Sequence, residues 1–168
     1  MLKFCPNCGH EARTANNNGF KCENCQYSVY INSKPAAGII PIYRGKVLIA
    51  IRGREPFKGF LDTIGGFLEN GEDPITGSIR EFKEETGENI LGSELKFLGH
   101  FMSPYTFQDE ELNVLNIVYT LNFSEFIQPE PKDDVEDLLW ISLDEDLGKY
   151  KLNKYMKEVF QTLQEKIK

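Results

Sequence analysis

Apolar residues run almost unbroken between positions 36 and 52, in two blocks. Ala36-Ala-Gly-Ile-Ile-Pro-Ile-Tyr43 and Lys46-Val-Leu-Ile-Ala-Ile-Arg52 are separated by Arg44-Gly45, which predicts two strands joined by a turn. Leu95 to Met102, Val114 to Phe123 and the shorter Leu138 to Ser142 are further strand candidates. The period then changes. Met156, Val159, Phe160, Leu163 and Ile167 recur at helical spacing, which predicts an amphipathic helix packed on the sheet. A second helix is bracketed by its own punctuation, with Asp73 as N-cap, Pro74 at the first helical position and Gly87 as the stop. On that helix Ile75, Ile79, Phe82 and Thr86 fall within about 60° of one another, and Glu81, Glu84, Glu85 and Glu88 gather opposite. Strands and two helices in this order predict an α+β sandwich.

The first thirty-four residues follow no such pattern, and their chemistry lies in the cysteines. Cys5-Pro-Asn-Cys8-Gly and Cys22-Glu-Asn-Cys25 are two C-x-x-C turns, joined through the turn-rich Thr14-Ala-Asn-Asn-Asn-Gly19. Two such turns facing each other supply a tetrahedral four-sulfur shell for Zn²⁺, the outline of a zinc ribbon. Gly9 suits the positive φ that turns backbone N–H groups toward sulfur. Disulfides would need an oxidising compartment, and a redox C-x-x-C would occur once, near a βαβ unit. His10 reads as a surface residue, because four cysteines already fill the shell. The predicted division is residues 1–34 as ribbon and 35–168 as a second, larger domain.

Length and charge narrow the classes. The chain has 168 residues, 40% of them hydrophobic, enough to bury a core without disulfides. No run of about 18 apolar residues and no leader-like N-terminus occurs, so a cytoplasmic protein without a membrane span is expected. Acids exceed bases by 26 to 19, giving −7. Residues 1–34 carry four bases and two acids, and a zinc ion with four thiolates cancels that excess. Both facts disfavour a nucleic-acid-gripping module.

Charge is concentrated instead in two places: the helix after Asp73, and Pro129 to Asp146, with eight acids and one lysine. Carboxylates converging on one helical turn, with Gly77 leaving space beside them, are how a hard divalent cation is held; a solvated acidic face is the plainer alternative. Gly66, Glu72 and Arg80-Glu81-Phe82-Lys83-Glu84-Glu85-Thr86-Gly87 resemble the Nudix box, G-x5-E-x7-R-E-U-x-E-E-x-G-U, at every fixed position. The final apolar position departs, since Glu88 stands there and Ile90 follows two residues later.

The resemblance implies a Nudix-type α/β/α sandwich with a mixed sheet, and hydrolysis of the diphosphate bond of a nucleoside diphosphate derivative. By position it assigns Mg²⁺ or Mn²⁺ to Glu81, Glu84 and Glu85, with the Gly65 carbonyl as a further donor. It counts Glu81, Glu84 and Arg80 as the catalytic set, one of these glutamates or a later carboxylate being the general base. Arg80 pairs with Glu72, fixing the loop against the helix, while Gly66, Glu72 and Gly87 are structural. Relatives with a zinc ribbon place a metal-binding glutamate three residues before a tryptophan. Asp137 stands there, ahead of Trp140, with Glu136 as the alternative.

A ribbon ahead of a Nudix domain is similar to the NADH pyrophosphatase branch, whose S-Q-P-W-P-F-P-x-S motif is answered only by Phe101-Met-Ser103-Pro104-Tyr105-Thr106-Phe107. Tyr105 and Phe107 are therefore candidate base-stacking residues for NADH, ADP-ribose or a related dinucleotide. A nucleotide-binding scaffold and a hydrolase of NAD-capped RNA are the other classes. The intact glutamates oppose the first; the neutral ribbon and acidic total oppose the second. Many such relatives are homodimers.

Overall fold

The computed structural model describes residues 3–12, 16, 18–107 and 110–167, without the side chain of Phe107. Arg13, Thr14, Ala15 and Asn17 of the linking loop lie outside them. The ribbon holds β1 (Gly19–Lys21) paired antiparallel with β2 (Ser28–Tyr30). Its own small core is Cys5, Phe20 and Cys22, with Ala12, Cys25 and Val29 around it.

A second sheet is formed by β3 (Lys34–Tyr43), β4 (Lys46–Arg52), β5 (Leu61–Asp62), β6 (Ile64–Phe67), β7 (Lys96–Phe107), β8 (Glu110–Asn122) and β9 (Val135–Ser142). The order is β5-β4-β3-β8-β7, with β6 on β3 and β9 on β4. It is mixed, since β3 and β8 run parallel and the other pairs antiparallel. The sheet forks at β3. Ile42 and Tyr43 pair with β4, whereas Ala36 to Ile39 pair with β6. A cleft opens where the two branches part.

Alternation along the strands builds the layers. Ile40, Ile42, Val47 and Ile49 face α2 (Lys154–Lys166), packing on Met156, Val159, Phe160 and Leu163. Ile39, Leu48 and Ala50 point to the other face, into the cluster of Phe82 from α1 (Pro74–Thr86). Period-2 side chains thus give one helix to each face. This is the predicted α/β/α sandwich. Among the described residues no helix is long and apolar enough to cross a membrane.

Helix α1 begins and ends where its punctuation predicts. Asp73 Oδ1 accepts from the N–H groups of Ile75 and Thr76, and Gly87 closes the helix at φ 77° with its N–H donating to the Lys83 carbonyl. Its faces differ from the wheel. Ile75 is largely exposed, and Ile75 and Ile79 abut the 3-10 turn Gly92–Glu94. Ser78, Phe82, Glu85 and Thr86 take the sheet side, and Glu88 lies beyond the helix. Gly77 leaves no bare space, since Leu68 and Glu72 fill it.

Candidate active site and zinc cluster

In the ribbon the two turns repeat one design. Cys5 N–H donates to the His10 carbonyl and Gly9 N–H to the Cys5 carbonyl; Cys22 with Tyr27 and Gln26 with Cys22 do the same. Gly9 and Gln26 hold equivalent positions at φ 70° and 63°. The Sγ atoms of Cys5 and Cys25 stand 3.7 Å apart and those of Cys8 and Cys22 3.6 Å. Four sulfurs held tetrahedrally at about 2.3 Å from zinc lie about 3.8 Å from one another, whereas a disulfide needs about 2.05 Å. The set fits zinc. Two residues missed in the sequence support it: Asn7 Nδ2 donates to Cys25 Sγ at 3.5 Å and Asn24 Nδ2 to Cys8 Sγ at 3.7 Å. The Asn7 amide helps draw the Cys25 thiol down to about 6. The repeated Asn-Cys in both turns is the signal that marks them.

The second site lies in the fork of the sheet. A cleft of about 290 Å³ is lined by Gly65 and Gly66 of β6, Glu81 and Glu85 of α1, Arg52, Asp62 and the Asp133-Asp134 turn, with aromatic rings beyond. Glu85 is buried at 5% exposure, and its Oε2 accepts from the Gly65 N–H at 2.9 Å. Burial, with Asp134, Glu81 and Asp62 nearby, pushes its carboxyl up to about 10. Burial also raises Glu81, against the pull of Arg80. Gly66 makes this approach possible, because a Cβ there would fall 2.7 Å from the Glu81 carboxyl carbon.

Arg80 anchors the opposite side. Its Nε and Nη2 each donate to Glu72 at 2.9 Å, and Nη1 reaches Glu81 at 2.7 Å and Glu84 at 3.1 Å. The paired bonds hold the Glu72 carboxyl at about 2. Thus Arg80 and Glu72 pair as expected, while Glu84 sits half-exposed outside the cleft lining.

Gly65 meets Glu85 through its N–H. Asp137 is exposed on β9, its Oδ1 accepting from Leu138 N–H, and neither it nor Glu136 lines the cleft. The later carboxylate that does face Glu81 and Glu85 is Asp134. Its turn is latched from both sides: Lys132 N–H donates to the Glu85 carbonyl at 2.8 Å and Gly53 N–H to the Asp134 carbonyl at 2.7 Å. The Lys132 amine lies over Gly87 at the helix C-terminus, where a cation complements the dipole. Tyr105 lines the cleft and meets Phe67 edge-on at 5.5 Å; Phe107 ends β7 opposite Glu110.

Glu81, Glu85 and Asp134 line one cleft, with a glycine cradle against Glu81, while among the described residues only the four cysteines gather their ligand atoms within 4.8 Å of one another. Glu81 and Glu85 sit at the first helix of a forked mixed sheet that lies between two helices. A family model described as the NUDIX domain matches residues 32–163, and the chain belongs to that family. It is 34% identical over 97 residues to the ADP-ribose pyrophosphatase of Methanocaldococcus jannaschii, spanning 58% of this chain and 55% of that protein. It is 28% identical over 149 residues to the NAD-capped RNA hydrolase NudC of Haemophilus influenzae, spanning 86% of this chain and 53% of that one. The chain therefore spans about half the length of the curated relatives it matches. A NUDIX hydrolase from Nitrosomonas europaea superposes with TM-score 0.66 at 20% identity, over 99% of this chain and 93% of the other. A bifunctional NMN adenylyltransferase/ADP ribose pyrophosphatase from Francisella tularensis, solved with AMP and manganese, gives 0.62 at 24%, over 81% and 42%.

Proposed function

We propose that this protein is a cytoplasmic, Mg²⁺- or Mn²⁺-dependent hydrolase that cleaves the diphosphate bond of a small nucleoside diphosphate derivative such as ADP-ribose, NADH or a related dinucleotide. Residues 1–34 are its structural zinc ribbon and 35–168 its catalytic domain. The observation that carries the reading is that Glu81, Glu85 and Asp134 line one cleft whose further wall is aromatic. Glu81 and Glu85 would hold the cation from within the cleft, with Glu84 at its mouth and Asp134 in the role first assigned to Asp137. When bound, the cation supplies charge neutralisation for the diphosphate and a lowered pKa for water.

The chain's own residues do the rest. Gly65 N–H fixes the Glu85 carboxylate, and Gly66 leaves the room into which Glu81 projects. Arg80 locks Glu72 and restrains Glu81 and Glu84, so the carboxylates are held before substrate arrives. A carboxylate of this group accepts the proton of the attacking water; the new bond forms from its oxygen to phosphorus and the bridging P–O bond breaks. Two phosphate monoesters leave.

The test is incubation with Mg²⁺ and NADH, NAD, ADP-ribose, diadenosine polyphosphates and NAD-capped RNA, each product being resolved. Turnover of a small dinucleotide without NAD-capped RNA supports the reading. Preference for the capped RNA would move the assignment toward NudC, whose match spans 86% of this chain. Nucleotide binding without turnover of any of them would make the protein a scaffold and refute the hydrolase.

A further inference from the structure

Two Asn-Gly pairs occur in the chain, Asn18-Gly19 and Asn70-Gly71. In such a pair the side-chain amide carbon of asparagine lies within reach of the next backbone nitrogen, and glycine has no Cβ to shield that nitrogen. The reaction needs the nitrogen to be free. In the ribbon it is not. Gly19 N–H donates to the Asn16 carbonyl at 3.2 Å, and the Asn18 carbonyl accepts from Ile31 N–H at 3.1 Å. A Cβ on Gly19 would fall 2.1 Å from the Val29 carbonyl oxygen, so the paired strand closes over this peptide.

Asn70 and Gly71 are instead the central residues of the turn in which Glu72 N–H donates to the Glu69 carbonyl at 3.1 Å. Gly71 takes φ 85° while Asn70 stays at negative φ, the type II arrangement. Both residues are exposed, and no atom lies within 4 Å of a Cβ built on Gly71. Among the described residues neither the Gly71 N–H nor the Asn70 amide has a hydrogen-bond partner. The turn has work to do. Glu69 N–H donates to Glu72 Oε2 at 2.9 Å, and the same Glu72 carboxylate takes both Nε and Nη2 of Arg80.

We propose that Asn70 is a site of spontaneous deamidation, and that the isoaspartate formed there opens the turn and unseats Glu72 from Arg80. The Gly71 nitrogen bonds to Asn70 Cγ, the side-chain nitrogen leaves as ammonia with the proton of the Gly71 N–H, and a succinimide ring closes. Water then cleaves one ring C–N bond, giving aspartate or isoaspartate. In isoaspartate the main chain passes through Cβ and Cγ. One extra carbon thus enters a turn closed by a single backbone bond, and a new carboxylate stands between Glu69 and Glu72. Any loss of turnover rests on the hydrolase reading above; the modification and the opening of the turn do not.

The test holds the full chain in mildly alkaline buffer over days and maps it with trypsin. The peptide of residues 59–80 contains Asn70 as its one asparagine, and that of residues 14–21 contains Asn18. The first gains the mass of an amide-to-acid exchange, and isoaspartyl methyltransferase labels it. It does so at least about fivefold faster than the second, the factor that one amide hydrogen bond supplies. Amide exchange at Glu69 and Glu72 speeds up in the modified protein, while freshly made Asn70→Asp, which adds charge without the extra carbon, keeps its protection. Hydrolysis falls in step with the modified fraction, and Asn70→Gln, whose longer side chain closes the ring poorly, keeps both its mass and its rate.

Equal or faster modification of residues 14–21, no gain in residues 59–80, the same gain in Asn70→Gln, or protected Glu69 and Glu72 amides in the isoaspartate form would each overturn the proposal. Fresh protein that hydrolyses no dinucleotide, yet modifies and loses protection as expected, would refute the hydrolase and leave the deamidation site standing.

Discussion

Gly66→Ala separates activity from stability. The added methyl would sit 2.7 Å from Cδ and Oε1 of Glu81 and 2.8 Å from Oε2. Non-bonded heavy atoms settle near 3.5 Å, so the carboxylate retreats by roughly 0.8 Å. That retreat also strains the 2.7 Å bond from Arg80. A displacement of about 1 Å in a reacting group lowers the rate by about 100-fold, equivalent to about 2.7 kcal/mol of transition-state stabilisation. Folding is affected far less. Gly66 is not held at positive φ, and the clashing atoms end a flexible side chain, so alanine fits the strand and restricts the unfolded chain. A net change within about 1 kcal/mol moves the thermal midpoint by only about 2–4 °C. The assay is steady-state hydrolysis of the best dinucleotide over a Mg²⁺ series, beside a thermal melt. Expected are a kcat about 100-fold lower, a higher Mg²⁺ requirement and a nearly unchanged midpoint. A variant with native kcat and Mg²⁺ dependence would refute the role given to Glu81, and one that does not fold would refute the claim that only its carboxylate is displaced.

Other substitutions test separate parts. Glu85→Gln removes turnover and leaves the fold intact, because its carboxylate is buried among other acids and gains little from being charged without a cation; near-native activity would contradict the assignment. Asp134→Asn lowers kcat at least tenfold whereas Asp137→Asn stays within twofold, and the reverse order would restore Asp137 to the site. Cys22→Ser abolishes stoichiometric zinc, read by elemental analysis, and amide exchange shows the ribbon losing protection while the β3–β9 core keeps it, since the two cores are separate. Phe82→Ala, at a fully buried position, lowers unfolding free energy in urea by about 3–5 kcal/mol.

The strands and helices that carry the core were legible because their periodicity and caps are local. Asp73 and Gly87 bound α1 as read, and β3 and β4 run within two residues of their apolar blocks. Strands β5 and β6 were not legible. Leu61–Asp62 and Ile64–Phe67 are short, and the second contains two glycines, so they have little β signal alone; they exist because β4 and β3 offer edges at the fork. The wheel of α1 failed for a related reason. Hydrophobicity placed Glu85 on the solvent side, yet the Gly65 N–H and the cleft draw that carboxylate toward the sheet.

Asp134 shows where sequence spacing ends as a guide. Counting back from Trp140 selects Asp137, and β9 pairing puts Asp137 opposite Ile51, with its carboxylate turned onto Leu138 N–H. What aims a carboxylate at Glu85 is the turn before the strand. That turn is held where Lys132 meets the end of α1 and Asp134 meets Gly53. Asp133 takes φ 52°, and the Lys132 carbonyl accepts from Val135 N–H to close the turn. The two latching bonds, Lys132 to Glu85 and Gly53 to Asp134, join segments about fifty to eighty residues apart in the chain. None leaves a periodic trace, although Gly87 and Gly53 mark both docking points: a Cβ would meet the Lys132 amine at one and the Asp134 carbonyl at the other. The glycine that ends α1 thus also seats the lysine whose turn brings Asp134 to the cleft. Lys132→Ala accordingly slows turnover as Asp134→Asn does, but by loosening the turn, so raised Mg²⁺ restores much of the rate in Lys132→Ala and little in Asp134→Asn. Equal restoration in both, or none in either, would break the link between the latch and the site.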